Sequence, residues 1–153
     1  MSTTTKKTPQ DQGNEPEITQ KDIQNILGQF SFLENNFSPN QALSECFLMN
    51  RLKLEPVHTK LRDGLLEGIK THTLESMKIT VEMLQADKVL QKKFNDKFQN
   101  AVQTSKAYND FLAEKVNVTF YKTTLAEIKG STYHSETMNS LAKHILSITN
   151  ELD

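Results

Sequence analysis

Residues 57–129 read VHTKLRDGLLEGIKTHTLESMKITVEMLQADKVLQKKFNDKFQNAVQTSKAYNDFLAEKVNVTFYKTTLAEIK, a stretch with no proline and only two glycines, Gly64 and Gly68. Proline and glycine are the strongest local breakers, so their scarcity predicts long helix. Val57, Leu61, Leu65, Ile69, Leu74, Met77, Val81 and Leu84 recur at steps of mostly three or four, which lines them along one helical face. The next phased position is Lys88, and the apolar set restarts at Leu90, Phe94 and Phe98. Ile79 to Leu90 and Met83 to Phe94 are each eleven apart, the mark of a stutter in a continuous coiled coil. A short turn at Ala86-Asp87 is the alternative. Unbroken helix through the whole stretch would span about 110 Å at 1.5 Å per residue, so the chain is either a rod or a folded hairpin.

The stripe continues through Ala101, Ser105, Tyr108, Leu112 and Val116, and then residues 117–124 turn rich in β-branched and aromatic types. That composition weakens helix. Helix is still expected there, because no partner strand is evident elsewhere. Lys129-Gly130 reads as its C-terminus, with glycine in the left-handed cap. Ser131 or Thr132 is placed to cap a last helix over about 132–151, whose face carries Met138, Leu141, Ile145, Ile148 and Leu152.

Upstream, Ser38-Pro39 reads as an N-cap followed by proline at the first helical position, with Gln41 reaching back, and predicts a helix over about 39–54. Its stripe is Leu43, Phe47, Asn50 and Leu54, flanked by Cys46 and Met49. Pro56 then imposes a kink or a fresh start; the stripe resumes in phase at Val57. An earlier helix over about 19–34 starts at Thr19, with Asp22 three residues on and Ile18 and Ile23 in staple positions. Ile23, Ile26, Phe30, Leu33 and Phe37 form its stripe, broadened by Leu27 and Phe32. Residues 1–17 hold no apolar side chain beyond Met1 and read as a disordered tail. The fold class is therefore all-α: an elongated helical bundle or coiled coil over 18–153, of four to five helices, with one long central helical region.

At 153 residues with 36% apolar and 24% charged residues, the chain suits one soluble domain with a modest core. A net charge of −1 supplies no general attraction to nucleic acid or anionic lipid. One cysteine, Cys46, forms no internal disulfide, the first residues lack a signal-peptide apolar run, and no stretch matches a membrane span. A cytoplasmic or nuclear setting follows as the expectation, and the Asn-x-Ser/Thr triplets at Asn36 and Asn117 are read as chance.

No motif carries chemistry. Glu55-Pro56-Val57-His58 matches the Glu-x-x-His of di-metal bundles, but no second copy exists and proline disturbs this one. His72 and Glu75 read as a solvated pair, His134 as a histidine at the edge of the core, and His144 as exposed. Cys46 has no helix N-terminus or adjacent base to activate it and is expected as a buried thiol. Between Asp87 and Lys122, seven lysines (88, 92, 93, 97, 106, 115, 122) face four acids, with aromatics interleaved. These aromatics fall largely on the apolar stripe and no arginine accompanies the lysines, so nucleic acid is disfavoured and a solvated face expected. Gly64 and Gly68 share a face and mark either a tight helix crossing or a soft point in a long helix.

Apolar side chains off the main stripe (Val89, Val102, Phe111, Tyr121) exceed what one intrachain partner covers. The expected function is thus that of a non-catalytic coiled-coil subunit or adaptor, without cofactor or metal. Its partners would be other helical proteins, in a homo- or hetero-oligomer. The expected partner-binding residues are Leu90, Phe94, Phe98, Val102, Tyr108, Phe111 and Leu112, with Gly64 and Gly68. In general character the chain resembles the small coiled-coil subunits of cytoskeletal, kinetochore, vesicle-trafficking and transcription-regulatory complexes, a resemblance of class that rests on no family motif. The rival reading is a carrier of an apolar ligand, lined by Phe30, Phe47, Phe94 and Phe98.

Overall fold

A computed structural model describes residues 17–147. The expected tail over 1–16, and Ile148 and Leu152 of the last stripe, lie outside the described residues. The fold is helical apart from one small strand pair: β1 (Glu17–Thr19), α1 (Gln20–Asn36), α2 (Gln41–Leu54), a π-helical turn (Glu55–Thr59), α3 (Lys60–Met77), α4 (Val81–Ala86), α5 (Lys88–Thr104), α6 (Lys106–Ala113), β2 (Lys115–Asn117) and α7 (Ser135–Ile145). The chain divides into two compact units, the first from residues 17–56 and 115–147 and the second Val57–Glu114.

In the first unit, α1 begins as its sequence predicts. The Thr19 hydroxyl accepts the Asp22 N–H at 3.1 Å and the Asp22 carboxylate accepts the Thr19 N–H at 3.0 Å, which satisfies two of the donors a helix start leaves open. Ile18 and Ile23, on either side of that cap, are both buried. The apolar faces of α1, α2 and α7 close on a core of Ile23, Ile26, Phe30, Leu33, Leu43, Phe47, Leu54, Met138, Leu141 and Ile145. Phe30 and Phe47 stack at its centre with ring centroids 4.7 Å apart.

Asn50 is the polar member of that face and is fully buried. Its side-chain oxygen accepts the Tyr121 N–H at 2.7 Å, and its amide nitrogen donates to the Tyr121 carbonyl at 2.9 Å and to the Cys46 carbonyl at 2.9 Å. One carboxamide thus answers both backbone groups of a residue in the segment after β2, as a neighbouring strand would.

That segment is extended, which corrects the helix expected over residues 117–128. β2 pairs antiparallel with β1, Ile18 opposite Val116, so the partner strand lies at the margin assigned to the tail. From Val118 the burial alternates, Val118 and Phe120 inward and Thr119 and Tyr121 outward, the period of a strand. Thr123 then bridges Leu146, its N–H on the Ile145 carbonyl and its own carbonyl on the Ser147 N–H, both at 2.8 Å. Turns fill residues 125–130, and Gly130 takes a φ of +102°, the left-handed conformation expected of it though not at the end of a helix.

Two further starts are displaced. Asn40, not Ser38, caps α2: its side-chain oxygen accepts the Leu43 N–H at 3.0 Å. His134 caps α7, so the last helix runs Ser135–Ile145 and not 132–151. Ser38, Ser131 and Thr132 instead stitch two loops together, the Ser38 N–H donating to the Thr132 hydroxyl at 2.7 Å and the Asn40 N–H to that of Ser131 at 2.8 Å.

Helical backbone continues through Pro56, so that α2, the π turn and α3 follow one another over 37 residues. Proline removes a donor, and the wider π turn over Glu55–Thr59 accommodates it, so the helix does not start afresh at Pro56. The single helix expected over 56–129 does not form. α3 stops at Met77, where Lys78 adopts a left-handed conformation (φ 58°) and its N–H and that of Ile79 close on the last carbonyls. Thr80 caps α4, Asp87 caps α5 and Ser105 caps α6, each through a side-chain oxygen accepting backbone N–H groups. The register slip near 84–90 is therefore a turn and not a stutter, and the second unit is a helical hairpin in which α5 and α6 pack on α3.

Asn50→Ala leaves the Tyr121 N–H and carbonyl buried without their partner. A loss of about 3 kcal/mol is expected in urea unfolding, at roughly 1–3 kcal/mol for each polar group left unsatisfied. A change under about 1 kcal/mol contradicts the role given to Asn50.

Candidate association surface

The hairpin Val57–Glu114 is where the sequence places its partner-binding residues. Its apolar core is thin: Phe94, Tyr108 and Phe111 are the hydrophobic side chains it buries, and Phe94 and Phe111 rest partly on rings of their own unit. Phe94 stacks on Phe98, centroids 5.7 Å apart and planes 10° from parallel, and Phe111 stacks on His58 at 5.6 Å. Phe94, Tyr108 and Phe111 therefore already serve the hairpin itself, which narrows the expected partner-binding set. Leu90, Phe98, Val102 and Leu112 are half-buried along the seam, as are Leu65, Leu66, Ile69 and Leu74 of α3.

What remains outward is a different apolar set. Leu61 is 50% exposed and Val89 67%, with Val81 and Met83 also exposed around the turn of the hairpin. In the first unit the same holds for Leu48 and Leu52, one turn apart on α2 and both more than half exposed. The signal for those two was present, a pair of leucines four apart and off the stripe of Leu43, Phe47, Asn50 and Leu54.

Gly64 and Gly68 are exposed, and a Cβ placed on either meets nothing within 4 Å. Among the described residues, no element crosses closely there. The lysines at 88, 92, 93, 97, 106, 115 and 122 are all exposed. Lys92 pairs with Asp96 at 3.3 Å and Lys106 with Asp110 at 2.7 Å, solvated i,i+4 pairs.

The remaining groups with chemical potential are structural. Among the described residues, no three His, Cys, Asp or Glu side chains come together as a metal site. Of the Glu-x-x-His pair, Glu55 is exposed and His58 is buried. Cys46 is buried, its thiol donating to the Tyr121 carbonyl at 3.5 Å, and burial pushes its pKa up to about 12. His144, expected exposed, is half-buried with its ring 5.0 Å from that of Phe120. Burial lowers the pKa of both His58 and His144 below the ordinary 6.5. Both are thus favoured neutral in the fold, and their contribution to stability is complete above about pH 6.5 and declines as the pH falls below it. The four phenylalanines of the carrier reading divide between the units, Phe30 stacked on Phe47 and Phe94 on Phe98. No helix among the described residues is long and apolar enough to cross a membrane.

No protein-family model, curated protein or solved structure matches the chain.

Because the added methyl meets open space, Gly64→Ala and Gly68→Ala should each stabilise the chain by about 1 kcal/mol, the helix-propensity difference between glycine and alanine. Thermal melts of the single and double variants check this. A lowered melting temperature would instead mean that another copy or a partner occupies this face.

Proposed function

We propose that the chain is a non-catalytic subunit or adaptor that acts by helix-to-helix association, with the hairpin Val57–Glu114 as its principal docking element. The observation that carries this reading is the mismatch between what the hairpin covers and what it displays. It buries Phe94, Tyr108 and Phe111, yet leaves Leu61, Val81, Met83 and Val89 exposed and most of its remaining apolar side chains half-covered. Two or three packed helices leave one side of each apolar stripe in water, and a further helix laid along that side removes it, at about 25 cal/mol per Å² of apolar surface. Helix-in-groove docking of this kind needs no titratable site. The solvated lysine face and the inert Cys46 thiol agree with that: neither offers a nucleophile or an acid–base pair.

Leu61→Lys and Val89→Glu test the reading on the full chain. Both positions are exposed, so thermal stability should stay within about 0.5 kcal/mol of the parent. Light scattering at micromolar concentration, together with affinity purification from the native cell, should show the parent chain in an oligomer or complex and the double variant released from it. A parent chain that is a monodisperse monomer and retains no partner contradicts the proposal.

A further inference from the structure

His134 holds a position that histidine seldom takes, the N-cap of a helix, and its ring does the capping. Nδ1 faces the Thr137 N–H at 3.4 Å and the Thr137 hydroxyl at 3.0 Å. A backbone N–H only donates, so this contact requires a lone pair on Nδ1 and hence the neutral imidazole with its proton on Nε2. The ring is positioned from the other side by aromatic neighbours, Phe32 of α1 edge-on at 6.0 Å and Phe37 at 6.4 Å. The contacts that α1 and the residue after it make with His134 are thus ring contacts. Among the described residues its ion-pair contact is with Glu136 of α7 itself, whose Oε1 lies 3.9 Å from Nε2 with the carboxylate 92% exposed.

We propose that His134 is a pH-sensitive cap: taking up a proton at Nδ1 detaches the first turn of α7 from its capping group. The proton comes from solvent and occupies the lone pair that accepted the Thr137 N–H. Nδ1–H then donates to the Thr137 hydroxyl, and the Thr137 N–H is left without its acceptor. The imidazolium also places positive charge at the positive end of the helix dipole, where anions are favoured and cations opposed. Glu136 offsets this only weakly, because an exposed carboxylate is screened by water. Asp, Asn, Ser and Thr caps elsewhere in the chain (Asp87, Asn40, Ser105, Thr19 and Thr80) keep their acceptor near neutral pH, so the response is local to α7. The first turn of α7 leads into Met138, whose N–H bonds the His134 carbonyl at 2.9 Å and whose side chain is buried in the core. The start of α7 is thereby loosened in acid while the strand bridge at its far end, Thr123 to Leu146, holds no titrating group of this kind.

The test is site-resolved, because His58 and His144 also weaken the fold in acid and bulk stability does not separate them. Nitrogen-15 NMR on the full chain reads the His134 tautomer, and amide hydrogen exchange reads the protection factor of Thr137. The neutral ring should be the Nε2–H tautomer, and Thr137 protection should fall about fivefold as His134 protonates, the equivalent of one lost N-cap. His134→Asn, which keeps an uncharged acceptor, should hold that protection through the same pH range. His134→Lys, a permanent cation without an acceptor, should lack it throughout. A neutral Nδ1–H tautomer, Thr137 protection that ignores the His134 titration, or an equal fall in His134→Asn overturns the proposal.

Discussion

The first unit depends on one carboxamide. Asn50 sits with no exposure on the apolar face of α2 and satisfies both backbone groups of Tyr121, a residue 71 positions away. In a low-dielectric interior such a pairing is strong when complete and costly when broken, so the segment after β2 has one favourable place along α2. Once Tyr121 is held, Val118 and Phe120 are turned into the core and Val116 is brought opposite Ile18. The same segment then delivers Thr123 to the end of α7. The amide is accordingly a substitute for strand pairing in a fold that has almost no sheet.

The two units differ in how they are held. The first closes a core of fully buried aliphatic and aromatic side chains, among them Ile23, Phe30, Leu33, Leu43, Phe47, Leu141 and Ile145, and adds side-chain clamps between distant segments at Asn40 and Asn50. The second relies on caps at Thr80, Asp87 and Ser105, on a left-handed Lys78, and on a few ring contacts. Caps and surface ion pairs each contribute about 1 kcal/mol or less, whereas a buried leucine or phenylalanine contributes about 1.5–3. A unit stabilised mainly by the former has stability to gain from an apolar partner, and that asymmetry underlies the association proposed for the hairpin.

Much of the helical frame was legible in the residues. The Thr19–Asp22 box, the stripe of α1, Met138, Leu141 and Ile145 of α7 and the buried Cys46 all follow from local pattern, because each is decided within one or two turns; the phase beyond Pro56 does not, since the π turn buries His58 and leaves Leu61 of the expected stripe exposed. Asn50 was visible too, as the polar member of an otherwise apolar stripe, although its partner was not: nothing local connects it to Tyr121. The same limit explains the misread of residues 117–128. Their β-branched composition pointed to strand, but the partner is three residues long and begins at Glu17, where a polar tail and a helix start overlap. Ser38 and Asn40 are both good caps, and the choice between them was made by the distant Ser131 and Thr132, which occupy the backbone N–H groups of Asn40 and Ser38. The end of α3 carried no glycine or asparagine; Lys78 takes the left-handed turn instead. For the association surface, the hairpin region was legible but the side chains were not. Sequence periodicity identifies an apolar face and cannot say which of its members the chain itself covers.

Native-state hydrogen exchange on the isolated full chain tests this division most directly, since it measures the opening free energy of each element in one experiment. The account predicts that amides of α1, α2 and α7, and the Tyr121 amide with them, open only at the highest free energy in the molecule. Those of α5 and α6 should open several kcal/mol below that limit. Equal protection in the two units, or a Tyr121 amide that exchanges freely while α2 stays closed, would contradict it.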